Sequence, residues 1–110
     1  MLNNEMWNKS IYEGLIKISD TYGLAKQLDQ TCEECAELIV AINKWKRAVA
    51  SDDSAKYVEA KDNIMEEVAD VMIMILQLQY LLGLDCFETL KSKIARQLKR
   101  IEDEKDSRSE

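Results

Sequence analysis

The sequence predicts an all-α chain, a four- to five-helix bundle, on three observations. It has no proline and only 3 glycines in 110 residues, whereas strands joined by tight turns draw on both. Apolar residues return at steps of three and four in four successive stretches, which is the period of one helix face. The residues between those stretches are helix caps and stops rather than hairpin turns.

The first helix is expected from about Asn4 to Tyr22, with Trp7, Ile11, Leu15, Ile18 and Tyr22 as its stripe and Gly23 in the left-handed stop position. The second is expected from about Leu24 to Val49. Its apolar stripe is Leu28, Cys32, Cys35, Ile39, Ile42, Trp45 and Val49, and a neighbouring face carries Gln27, Gln30, Glu34, Glu37 and Lys44. Residues 50–54, ASDDS, then form a loop, and residues 55–61 fit either a short helix or more connection. Asn63 and Glu66 have capping-box spacing and predict the start of the third helix, which stops at Gly83. After Asp70 that helix is apolar nearly all round. It is therefore expected to be buried on several sides and to be the surface through which the chain oligomerises. Asp85 caps a fourth helix with the stripe Phe87, Leu90, Ile94, Leu98 and Ile101. One domain over residues 1–101, followed by a frayed polar tail over 102–110, accounts for the whole chain.

Composition excludes several function classes. The net charge is −6, the wrong sign for a nucleic-acid binder. The longest apolar stretch, residues 71–84, is shorter than a bilayer requires and contains Gln77 and Gln79, so no membrane span is expected. There is no histidine, which removes histidine-based catalytic triads and His-containing zinc or di-iron sites. Three cysteines without a leader segment point to a reduced, cytoplasmic protein. Cys32 and Cys35 form a C-x-x-C, but no strand precedes it, and core packing is the expected role. Met65, Met72 and Met74 are likewise expected in the core.

The chemistry-bearing feature is a repeated pair of acids. Glu34 and Glu37 stand three apart on the second helix, Glu67 and Asp70 three apart on the third, each pair enclosing two apolar residues. Residues at i and i+3 share a helix face at roughly 5–6 Å, so two carboxylates there repel unless a cation lies between them. No lysine follows at i+4 to neutralise any of the four. If the two helices pack antiparallel, the four acids converge. An all-oxygen ligand set suits Mg²⁺, or Mn²⁺, and Mg²⁺ commonly bridges to phosphates. The plain alternative is a solvated acidic surface.

These residues also resemble a family. Glu33-Glu34-Cys35-Ala36-Glu37 is similar to the E-E-x-x-E motif, and Glu67-Val68-Ala69-Asp70 to the E-x-x-D motif, of the MazG-like all-α NTP pyrophosphohydrolases. The resemblance extends from about Gln27 to Ile101 and includes the basic KIARQLKR of the last helix. It implies hydrolysis between the α- and β-phosphates of a nucleoside triphosphate; this enzyme reading predicts a homodimer or homotetramer formed through the third helix and a role in nucleotide-pool cleansing or in signalling. It implies Glu34, Glu37, Glu67 and Asp70 as metal ligands. Glu33 and Glu66 become candidates, with Glu34, for orienting water or ligands. Lys93, Gln97 and Arg100 fall where the family contacts phosphate or nucleotide, with Gln97 in place of the usual Asn; Lys44 and Trp45 fall near its base-holding position. Bound metal lowers the pKa of a water, a carboxylate positions or deprotonates it, and the water attacks the α-phosphorus. Two rivals remain: a non-catalytic helical interaction module, and a purely structural divalent-cation site.

Overall fold

A computed structural model of the chain describes residues 9–109. It has four helices: α1 (Lys9–Tyr22), α2 (Leu24–Ala50), α3 (Ser54–Leu82) and α4 (Phe87–Ser109). The all-α expectation holds, and no strand occurs among the described residues. The expected first turns before Lys9, with Trp7, lie outside them.

The ends of α2 and α3 follow from their capping residues. Gly23, at φ 83°, separates α1 from α2, and its N–H donates to Ser19 O at 2.8 Å. Ser51, Asp52 and Asp53 link α2 to α3. Asp53 Oδ1 accepts from the amides of Ala55 and Lys56 at 3.0 and 3.2 Å, satisfying two of the free donors at the start of α3. The third helix therefore starts at Ser54. The start expected at Asn63 is corrected, because Asn63 sits inside a helix already nucleated by Asp53, and residues 55–61 are continuous with it. Gly83, at φ 63°, ends α3: its N–H donates to Tyr80 O and that of Leu84 to Gln79 O, the bond pair of a Schellman ending. Asp85 Oδ1 accepts from Phe87 N at 3.2 Å and opens α4. That helix continues through the polar residues after Ile101 as far as Ser109.

α2 and α3 form an antiparallel hairpin that frames the chain. Gln27 meets Gln77 near one end, and Trp45 meets Tyr57 near the other. Apart from Gln30, the covered residues of α2 are Gln27, Thr31, Glu34, Leu38, Ala41, Trp45 and Ala48, alternating steps of four and three. On α3, Ala60, Glu67, Met74 and Leu81 recur every seven. This is the heptad geometry of two helices packed at a shallow angle. Buried Ala41, Ala48 and Ala60 let the backbones approach closely.

The stripe expected to face the core of α2 does not. Leu28 is 41% and Ile39 60% exposed, and Cys32 and Cys35 are exposed free thiols, so core packing is corrected for both. Met74 is buried as expected, but Met65 is exposed. Of that stripe only Trp45 is partly covered, against Tyr57. The physical reason is that the buried positions of α2 are the small or polar Gln27, Ala41 and Ala48, with Leu38 and Trp45 half-buried beside them, while the other large apolar residues of the stripe point outward.

α1 packs across one end of the hairpin. α4 packs against none of the other three helices among the described residues, and its whole stripe from Phe87 to Ile101 is exposed. The chain presents 8889 Å² to solvent, against about 6200 Å² for a compact monomer of this mass. Its radius of gyration is 18.2 Å, against about 13 Å. No helix among the described residues is long and apolar enough to cross a membrane.

Candidate functional site

The antiparallel register brings the two acid pairs to the same level of the hairpin. One carboxylate oxygen from each of Glu34, Glu67 and Asp70 lies within 4.8 Å of the other two. Glu34 and Glu67 are half-buried because they occupy heptad positions facing the opposite helix. Their Oε2 atoms are covered and have no hydrogen-bond partner. Covered carboxylate oxygens without a partner, on acids that converge this closely, are unfavourable without a cation. The other oxygen of Glu34 is fixed: Gln30, one turn earlier, donates from Nε2 to Glu34 Oε1 at 2.8 Å.

The Glu67 carboxyl is held above the usual carboxylate range. Desolvation contributes most, followed by the negative charges of Glu37, Asp70 and Glu34. Glu37 is therefore close enough to act on Glu67, although it stands outside the set of three converging oxygens. The donor set is entirely oxygen. Neither Cys32 nor Cys35 belongs to it, and the chain has no histidine.

The remaining sequence-predicted residues are distributed differently. Glu33 is exposed. Glu66 is exposed and lines a shallow groove along α3 with Ser54, Val58 and Asp62, and it is not among the converging acids. Trp45 packs against Tyr57, ring centroids 6.2 Å apart, and serves the hairpin as a packing anchor. Lys44 lines a cleft nearer the α2–α3 turn. Lys93, Gln97 and Arg100 are exposed on α4, which does not pack against the acid-bearing helices within the chain.

Sequence reasoning missed the support behind the acids. Ser19, Gln27 and Gln77 form a buried polar cluster: Gln77 Oε1 accepts from Gln27 Nε2 at 2.8 Å and from Ser19 Oγ at 3.2 Å. This network ties α1, α2 and α3 together two turns from Glu34. A glutamine inside the most apolar helix was its available signal, and so was the seven-residue step from Gln27 to Glu34.

Residues 24–102 match the MazG nucleotide pyrophosphohydrolase domain. The match covers α2 and α3 with all four acids and nearly all of α4 before its polar end. No curated protein and no solved structure matches the chain.

Proposed function

The chain belongs to the MazG nucleotide pyrophosphohydrolase family, and from that premise we propose a Mg²⁺-dependent hydrolase that splits a nucleoside triphosphate between its α- and β-phosphates. The observation that carries the metal dependence is the pair of covered, unpartnered oxygens on Glu34 and Glu67 beside Asp70. Mg²⁺ suits an all-oxygen set, and Mn²⁺ fits it as well.

Glu34, Glu67 and Asp70 would hold the cation, and Glu37, close enough to act on Glu67, would be the fourth acid of the set. Gln30 keeps one oxygen of Glu34 occupied, which leaves the covered Oε2 without a partner and available to a cation. Bound metal supplies charge neutralisation at the phosphates and a water of lowered pKa. A site carboxylate accepts the proton of the attacking water. The new bond joins that water oxygen to the α-phosphorus, the α–β bridging bond breaks, and pyrophosphate leaves. Glu33 and Glu66, exposed and next to the ligand acids in sequence, are assigned to orienting incoming water or ligands.

The functional unit in this reading is a homodimer or homotetramer. Support comes from the excess surface and from the uncovered apolar faces of α2, α3 and α4. Lys93, Gln97 and Arg100 stand on α4, which no other helix of the chain covers, and the reading assigns them to phosphates held by a neighbouring copy.

The test is to incubate the purified protein with each NTP and dNTP plus Mg²⁺ and follow release of monophosphate and pyrophosphate together. Turnover of at least one nucleotide, abolished by chelation, is expected. Absence of turnover across the panel overturns the reading.

A further inference from the structure

Acids gathered at one site attract any divalent cation, so charge alone does not choose among cations. Coordination does. Mg²⁺ demands a small, near-octahedral shell and keeps several waters, whereas the larger Ca²⁺ takes more oxygens and accepts both oxygens of one carboxylate. The number of oxygens that each acid can offer therefore bears on which cation the site prefers.

The surroundings of Glu34 restrict that number. Gln30 stands one turn earlier on α2 and donates from Nε2 to Glu34 Oε1 at 2.8 Å. The two residues are four apart on one helix, so the helix itself brings them together and the bond does not await a ligand. Both are half-buried, which limits competition from water. The bond engages a lone pair of Oε1, and the positive end of the amide dipole beside that oxygen repels a cation. Oε2 of the same carboxylate is covered and has no partner. Glu34 thus has one oxygen engaged by an uncharged donor and the other left open. Among the described residues, no uncharged side chain donates in this way to Glu37, Glu67 or Asp70.

We propose that Gln30 is a positioning residue that holds Glu34 to a single ligating oxygen and so biases the acid site towards Mg²⁺ and against Ca²⁺. The proposal rests on the divalent-cation reading of that site. Gln30 acts through Glu34 and is not itself a ligand. An amide suits the task better than an ammonium or guanidinium group. It occupies one oxygen while leaving the negative charge of Glu34 intact for the cation, whereas a lysine or arginine would neutralise it.

The test titrates the metal-free full chain with Mg²⁺ and, separately, with Ca²⁺ by calorimetry, for wild type, Gln30→Met and Gln30→Ala. Methionine keeps the length and helix propensity of glutamine but carries no N–H donor. Loss of a hydrogen-bond partner behind a metal ligand changes metal affinity by about 10–100-fold. Both variants are expected to shift the ratio of Mg²⁺ to Ca²⁺ affinity towards Ca²⁺ by about tenfold, with unchanged circular dichroism. Either variant decides the matter if the other fails to fold. A ratio equal to that of wild type overturns the proposal, even where affinity for both cations falls together, because Gln30 would then only steady Glu34. A loss of helix stability with no change in the ratio overturns it as well. Failure of the wild type to bind either cation overturns the divalent-cation reading itself.

Discussion

Gln27 Nε2 donates a 2.8 Å hydrogen bond to Gln77 Oε1 across the α2–α3 interface, and both side chains are buried. The same oxygen accepts from Ser19 Oγ, and the Gln77 amide approaches Met74 Sδ at 3.7 Å. A polar contact of this kind adds modest stability but specifies register. A slip of either helix leaves several buried groups unpaired. Because Glu34 lies seven residues after Gln27 and Asp70 seven before Gln77, the register that satisfies the glutamines also sets Glu34 level with Asp70, one turn from Glu67.

Gln77→Ala is therefore expected to destabilise the fold by roughly 3 kcal/mol, combining lost packing with the stranded amide of Gln27, while the Ser19 hydroxyl keeps its 2.8 Å bond to Leu15 O. Urea unfolding followed by circular dichroism measures this. A loss under about 1 kcal/mol would mean that the network does not hold the three helices together.

Glu67→Gln and Asp70→Asn should abolish hydrolysis while leaving helicity unchanged. In the absence of metal, Glu67→Gln should melt no lower than wild type, because it removes a charge repelled by Glu37, Asp70 and Glu34. Added Mg²⁺ or Mn²⁺ should raise the melting temperature of wild type and not that of the variants. A variant retaining both turnover and the metal-induced shift would refute the assignment of the site.

This acid site was legible in the sequence because spacing on a helix is geometry. Two i, i+3 pairs on adjacent helices needed only antiparallel packing to meet. Glu37 shows the limit, since spacing places it on the same face as Glu34 but does not show that three oxygens converge without it. The buried face of α2 was less legible. Periodicity identifies the most apolar stripe, and in this chain that stripe is the outward one, while Ala41, Ala48 and Gln27 make the inner contact. The start of α3 was misplaced because Asn63 and Glu66 have capping spacing by chance, whereas Asp53 makes the actual cap bonds.

The raised Glu67 carboxyl predicts a pH dependence with a definite sign. A carboxyl whose folded pKa lies above its unfolded value contributes stability that is fully present below the unfolded pKa and is lost as pH rises through the folded one. The metal-free chain should therefore lose this contribution as pH rises through and just above the carboxylate range. A divalent cation needs the ionised form. The melting-temperature gain from Mg²⁺ or Mn²⁺ should accordingly be larger at about pH 7.5 than at about pH 5. An equal gain at both values would show that Glu67 is not a ligand.

Ile94→Lys and Leu98→Lys place charges in the exposed stripe of α4, at positions that nothing within the chain covers. If that stripe is an interface between copies, sedimentation velocity should show wild type as a dimer or tetramer and the double variant as a smaller species. Hydrolysis should fall with the assembly. A monomeric wild type would leave the stripe without that role.

The three-residue link from Ser51 to Asp53 has a kinetic consequence. Both halves of the acid cluster lie on the legs of one helical hairpin, so the loop that must close to bring them together is short in entropic terms. Helices that meet through a tight link form early and fast compared with elements that must find each other across a long chain. The charge repulsion among the acids is then met at the start of folding rather than at its end, and a divalent cation present during folding should accelerate formation of this hairpin.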